Sequence, residues 1–274
     1  MVALYQRLFF HKRPAHVIVG LIVKGAVLQH HRLARWLLSS VAGVVCFTRR
    51  EAKLCRELLA LPEERIHFCH LVWDVSEDED VSPDEWDESD YVLSVGSSSR
   101  DYQTFLKAAA QVDARFILVA HPYNLTGLQV PPNVQVRYDL PSAEVTYLLR
   151  GARLVVLPLL DGDYSAGQTV LIRAMSAARA VVVTRSIGVL DYVRDGETGI
   201  FVQPRDADDM AATIQRLLRS PEETRRIGAN ARREAVARYG FAALARYLCD
   251  LAHTLSNEPD TSVRSSVRIE KSRR

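Results

Sequence analysis

The run from Arg153 to Pro204, RLVVLPLLDGDYSAGQTVLIRAMSAARAVVVTRSIGVLDYVRDGETGIFVQP, leaves this chain few folds to choose from. Its apolar residues come in short continuous blocks separated by amphipathic stretches, which predicts strand, loop, helix, strand, turn, helix, strand. Val155–Leu160 is apolar or proline throughout. A strand covered on both faces of a parallel sheet needs this pattern. Parallel neighbours require crossover connections, usually helices, so the run predicts an α/β fold. Ser165-Ala166-Gly167-Gln168 has the serine-to-glutamine spacing of a capping box and predicts the start of the first crossover helix. Free N–H groups and the positive end of the helix dipole make such a start a seat for anions. The same residues also suit plain closure of a βαβ unit.

The chain has 274 residues, room for one large domain or two modest ones with a substantial core. A net charge of +2 argues against a nucleic-acid footprint spread over the molecule. Cys46, Cys55, Cys69 and Cys249 lack CxxC or CxxH spacing. They read as buried, reduced thiols of a cytoplasmic protein rather than zinc ligands. No stretch reaches the roughly 20 apolar residues of a spanning helix. Val17–Leu28 comes nearest and is interrupted by Lys24-Gly25. Lys12 and Arg13 follow the first apolar residues, opposite to a signal-peptide layout.

Charge divides the chain. Asp74–Asp90 holds ten acids and no Lys or Arg, which predicts a solvated linker over residues 76–90; a metal-binding acidic cluster is the sharper alternative. Residues 1–75 form the first unit, with a strand in His16–Val23, a helix in Leu33–Ser40, a strand in Gly43–Thr48, a helix in Arg50–Ala60 and a third strand after Pro62. Residues 91–239 form the second unit, 240–255 a final helix, and 256–274 a disordered basic tail. In the second unit, strand Tyr91–Val95 feeds the loop Gly96-Ser97-Ser98-Ser99-Arg100 and then a helix from Asp101, again an anion-binding design. Phe116–Ala120 is the next strand, Pro131–Tyr138 is extended, and Ser142–Leu149 is helical. Asp206–Leu218, Pro221–Tyr239 and Phe241–Leu255 read as amphipathic helices.

AGQTVLIRAMSAARAVVVT, the pair Gly188 and Asp191, and DGETGIFVQP, in that order, resemble the donor-binding half of retaining GT-B glycosyltransferases of family 4 (group 1). The likeness extends more loosely over Tyr91–Leu255. It implies two Rossmann-like domains, the C-terminal donor-binding one complete and the N-terminal acceptor-side one incomplete. Residues 43–68 resemble the last part of that first domain, with its early strands missing, and residues 240–255 would pack back on it. The implied reaction is hexosyl transfer from a nucleoside-diphosphate sugar to a glycan, lipid-linked or small-molecule acceptor hydroxyl, with retention. Neither metal nor other cofactor is required, no nucleic acid takes part, and peripheral membrane contact stays open.

The resemblance also implies where the donor sits. Its diphosphate would face Gly96, Ser97, Ser98 and Arg100, with Arg100 neutralising the leaving group, and Gly167, Gln168, Thr169 and Val170. Backbone near Tyr138, Asp139 and Leu140 would hold the nucleobase. The sugar and ribose would meet Ser165, Ala166 and Arg173. Here the chain departs from the family, which places glutamates at the positions of Ser165 and Arg173; Asp161 and Asp163 stand before the loop as substitutes. No histidine takes the family's position near the donor sugar, although His11, His16, His30 and His31 are close in sequence. Catalytic residues stay unassigned. Two other readings remain: a non-catalytic GT-B-like scaffold that binds nucleotide sugar or a partner, and an unrelated doubly wound nucleotide enzyme such as a sugar-nucleotide epimerase. The chain lacks the GxGxxG and Walker A runs of dehydrogenases and NTPases.

Overall fold

The computed structural model describes residues 16–21, 30–75, 90–162 and 165–257. The acidic linker except Asp90, the tail from 258, His11, Lys24-Gly25 and Asp163 lie outside the described residues.

The first sheet is parallel, in the order β1 (Val17–Val19), β2 (Gly43–Cys46), β3 (Ile66–Phe68). Helix α1 (His31–Leu38) joins β1 to β2, and α2 (Arg49–Leu59) leads from β2 towards β3. Thr48 caps α2: its hydroxyl accepts the Glu51 N–H at 3.1 Å, and Ala60 ends the helix in the left-handed region. Strand β2 is buried along its whole length. Val44 and Cys46 face α1 and α2 with Leu38, Leu54 and Leu59, while Val45 turns to the other side.

The second sheet has six parallel strands in the order β6 (Val134–Tyr138), β5 (Phe116–Ala120), β4 (Val92–Val95), β7 (Leu154–Leu157), β8 (Val181–Thr184), β9 (Ile200–Val202). Chain order reverses beside β4, and clefts outside the strand ends form at such a switch. Helices α3 (Tyr102–Ala109), α4 (Ser142–Gly151), α5 (Gln168–Ser176), α6 (Ala207–Arg219) and α7 (Pro221–Arg238) cover the two faces. Leu154 and Val156 enter one core with Phe105, Phe116 and Ile214, and Val155 and Leu157 enter the other with Leu171, Met175 and Tyr192. Successive side chains leave opposite faces of a strand, so both faces must be apolar. Full burial of each such side chain contributes roughly 1.5–3 kcal/mol.

Helix α8 (Phe241–Asn257) crosses to the first sheet, where Leu244, Tyr247 and Leu251 pack with Val45 and Cys69. The expectation of four buried thiols needs correction: Cys46, Cys55 and Cys69 are buried, but Cys249 lies on the exposed side of α8.

Candidate functional site

The carboxyl ends of both sheets meet in one seam. From the first sheet come Phe47, Thr48 and the first turn of α2; from the second come the residues entering α5 and the turn Gly188–Tyr192. The Tyr192 hydroxyl donates to Phe47 O at 2.7 Å and accepts the Leu71 N–H at 2.9 Å. Asp191 accepts the Arg49 N–H at 2.8 Å, and its backbone carbonyl lies 3.1 Å from His70 Nε2. Thr48 Oγ1 and Ser165 Oγ are 3.0 Å apart. Burial lowers the tendency of His70, packed between Tyr192 and Tyr239, to take a proton.

Helix α5 starts differently from the capping box read from the sequence. Gly167 is its N-cap at φ 93°, and no side chain caps it. The Ser165 hydroxyl is drawn across the seam to Thr48 instead, because a tertiary partner outcompetes the local one. The N–H groups of Gln168, Thr169 and Val170 therefore head an uncapped helix, with the positive dipole end beside the seam. Gly188 presses onto this entry: a Cβ there would lie 2.4 Å from Ala166 O and 2.5 Å from Ala166 N. Only glycine permits that approach.

The loop after β4 flanks the entry to α5 through the antiparallel bridge between Arg100 and Leu159. Gly96 has φ 126°, and the Arg100 guanidinium lies where its Cβ would be. Arg100 donates from Nε to Val95 O at 3.3 Å and from Nη1 to Ser98 O at 2.6 Å, so part of its fork shapes the loop itself. Burial makes its charge harder to hold. Ser97 O is held from outside by Asn124 Nδ2 at 2.8 Å. Asp101 caps α3 by accepting the Thr104 N–H, so the helix proper begins at Tyr102, one residue later than expected.

Arg173 does not point at the head of α5. Its Nη2 donates to Ser142 O at 3.0 Å and Thr146 Oγ1 at 2.8 Å, and the guanidinium stacks 5.2 Å from the Trp73 ring centroid. Tyr138 is half exposed, Asp139 takes a left-handed conformation at φ 49°, and Leu140 packs with Trp73 against the same core. Arg173 is thus tied to Ser142 and Thr146 of α4 and to Trp73, while of the residues expected near the nucleobase Leu140 borders the same core. Asp161 is exposed. Among the described residues no trio of His, Cys, Asp or Glu could hold a metal ion, and no helix is long and apolar enough to cross a membrane.

Glu51, like Tyr192, is not legible in the sequence as a site residue. It sits in the first turn of α2 at 3% exposure, against Thr48 and Ser165. Burial raises its pKa from the ordinary carboxylate value, opposed by hydrogen bonds from the Ser165 and Thr48 hydroxyls and from the Phe47 and Thr48 backbone. Its Oε1 has no hydrogen-bond partner among the described residues.

Residues 89–220 match the family model of glycosyl transferases, group 1. The chain is 26% identical over 238 residues to the alpha-D-kanosaminyltransferase of Streptomyces kanamyceticus, covering 77% of this chain and 61% of that protein. It is 34% identical over 113 residues to the MMP alpha-(1->4)-mannosyltransferase of Mycolicibacterium hassiacum, 41% of this chain and 27% of the relative. This chain therefore spans less than two thirds of both. Among solved structures, HepE of Anabaena in complex with UDP superimposes with a TM-score of 0.76 at 17% identity, over 92% of this chain and 75% of that one. A glycosyltransferase from Rickettsia africae gives 0.74 at 13% identity, over 89% and 71%. The fold is GT-B-like: α/β, with parallel Rossmann-like sheets.

Proposed function

We propose that the chain is a glycosyltransferase that takes a sugar from a nucleoside-diphosphate donor and passes it to an acceptor hydroxyl with retention of configuration. The observation that carries this reading is the uncapped head of α5, held open in the seam between two sheets by Gly188 and by the diversion of Ser165 to Thr48. A diphosphate suits that place: N–H groups and a helix dipole need no reorganisation as negative charge builds on a departing phosphate. The Gly96–Arg100 loop flanks it and would bear the second phosphate. The Tyr138–Leu140 segment and Trp73 would flank the nucleoside. The group 1 match over residues 89–220 covers most of these elements.

No resident metal or cofactor is needed in this scheme, because helix dipoles and Arg100 supply the positive potential. The acceptor would enter from the first sheet; its glycan, lipid-linked or small-molecule nature is left to assay. Retention, a family 4 assignment, a cytoplasmic site and contact with a membrane surface belong to this proposal. Incubation with UDP-, GDP- and ADP-sugars tests it. One donor series should yield free nucleoside diphosphate, with product whose anomeric configuration, read by NMR, matches the donor. Binding without turnover of any donor would favour a nucleotide-sugar-binding scaffold.

A further inference from the structure

The Glu51 carboxyl has no role in the scheme above, and its surroundings are unusual. Its exposure is 3%, yet Oε1 has no partner among the described residues. Burying a carboxyl oxygen unpaired is costly, and native structures rarely leave one so. The position is not an isolated interior site. Glu51 abuts Ser165, two residues ahead of the α5 cap Gly167, so it adjoins the anion seat from the opposite sheet. An uncapped helix head with a buried, incompletely bonded carboxyl beside it is a two-part recognition site: one part fits phosphate, the other a hydroxyl donor.

We propose that Glu51 is the sugar-reading carboxyl of the donor site, its free oxygen accepting a hydrogen bond from a ring hydroxyl of the sugar carried on the diphosphate. The Thr48–Ser165 hydroxyl contact at 3.0 Å closes this edge of the seam, and the sugar reaches Oε1 where that contact parts. A carboxyl, having two acceptor oxygens, suits a polyhydroxylated ligand, whereas Ser165, Thr48 and the Phe47 backbone beside it complete its remaining bonds. The donor site is then divided between domains: the second sheet holds the diphosphate and the first sheet reads the sugar. This inference rests on the donor-site reading above.

The test compares each nucleotide with its sugar conjugate by calorimetric titration: UDP with UDP-glucose, GDP with GDP-mannose, ADP with ADP-glucose. In the wild-type chain one conjugate should bind more tightly than its nucleotide. Glu51→Gln preserves shape and should fold. It should weaken the conjugate at least tenfold, about 1.4 kcal/mol, while leaving the bare nucleotide unchanged. Glu51→Asp, which keeps the charge but withdraws the carboxyl by one methylene, should show the same selective loss. Equal weakening of both ligands, or of neither, overturns the role of Glu51 and leaves the donor-site reading standing. If the wild-type chain binds no nucleotide of any series, the donor-site reading falls and this inference with it.

Discussion

Gly188→Ala tests whether the head of α5 is a binding site or merely a helix end. The added Cβ would lie 2.4 Å from Ala166 O and 2.5 Å from Ala166 N. Both are backbone atoms, so no rotamer change relieves the clash. Reaching ordinary contact, about 3.4 Å, requires the two segments to separate by about 1 Å. Overpacking of this kind costs about 1–3 kcal/mol. At roughly 2–4 °C per kcal/mol for a chain of this size, the melting temperature should fall by about 2–12 °C. The same displacement moves Ala166 and the Gly167 cap beside it, and misplacement by about 1 Å can cost on the order of 100-fold in a positioned reaction. Gly228→Ala supplies the control. Its Cβ would meet Ala178 O at 2.1 Å, just past the other end of α5, with a similar stability cost. Calorimetric titration with nucleoside diphosphates and thermal unfolding should therefore separate the variants: both melt earlier, but only Gly188→Ala loses nucleotide affinity. Equal affinity in the two variants would refute an anion seat at Gly167–Val170.

Glu51→Gln should change the pH dependence of stability. A carboxyl raised above its unfolded value stabilises the fold at low pH, and that contribution is lost as pH rises through the folded-state value. Wild type should therefore lose stability relative to the variant as pH rises from below 4.5 to neutrality, measured by denaturant unfolding; parallel curves would contradict the burial of an ionisable Glu51. Tyr192→Phe removes the hydroxyl joining Phe47 O to Leu71 N and should cost about 1–3 kcal/mol of unfolding free energy; an unchanged midpoint would mean the seam is not held there. Arg100→Ala frees the carbonyls of Val95 and Ser98, so the Gly96 loop should loosen and nucleoside diphosphate affinity should fall, whereas unchanged affinity would exclude the loop from the site.

The strands are legible in the sequence because burial on both faces writes a continuous apolar run. Phe116–Ala120 matches the expected strand residue for residue. Strand Leu154–Leu157 starts one residue before the expected Val155–Leu160 and ends sooner, where Leu159 leaves the ladder to bridge Arg100. Helix ends are harder to read. Ser165 has every local mark of a capping box, yet its hydroxyl turns to Thr48, 117 residues away in sequence. Of the expected first strand His16–Val23, Val17–Val19 is strand and Gly20 turns out of it at φ 76°, while residues 22–23 lie outside the described residues. The site is legible where backbone carries it, as in the Gly/Ser loop and the start of α5. Glu51 and Tyr192 escape a reading of the sequence because their importance is tertiary. A glutamate in the first turn of a helix looks like a solvated, dipole-complementing residue until a second sheet buries it.

The most direct measurement is calorimetric titration of the wild-type chain with UDP, GDP, ADP and the corresponding unphosphorylated nucleosides. One diphosphate should bind at one site per chain and its nucleoside far more weakly, because the head of α5 would recognise phosphate. Binding of nucleoside and diphosphate with equal affinity, or of neither, would contradict it.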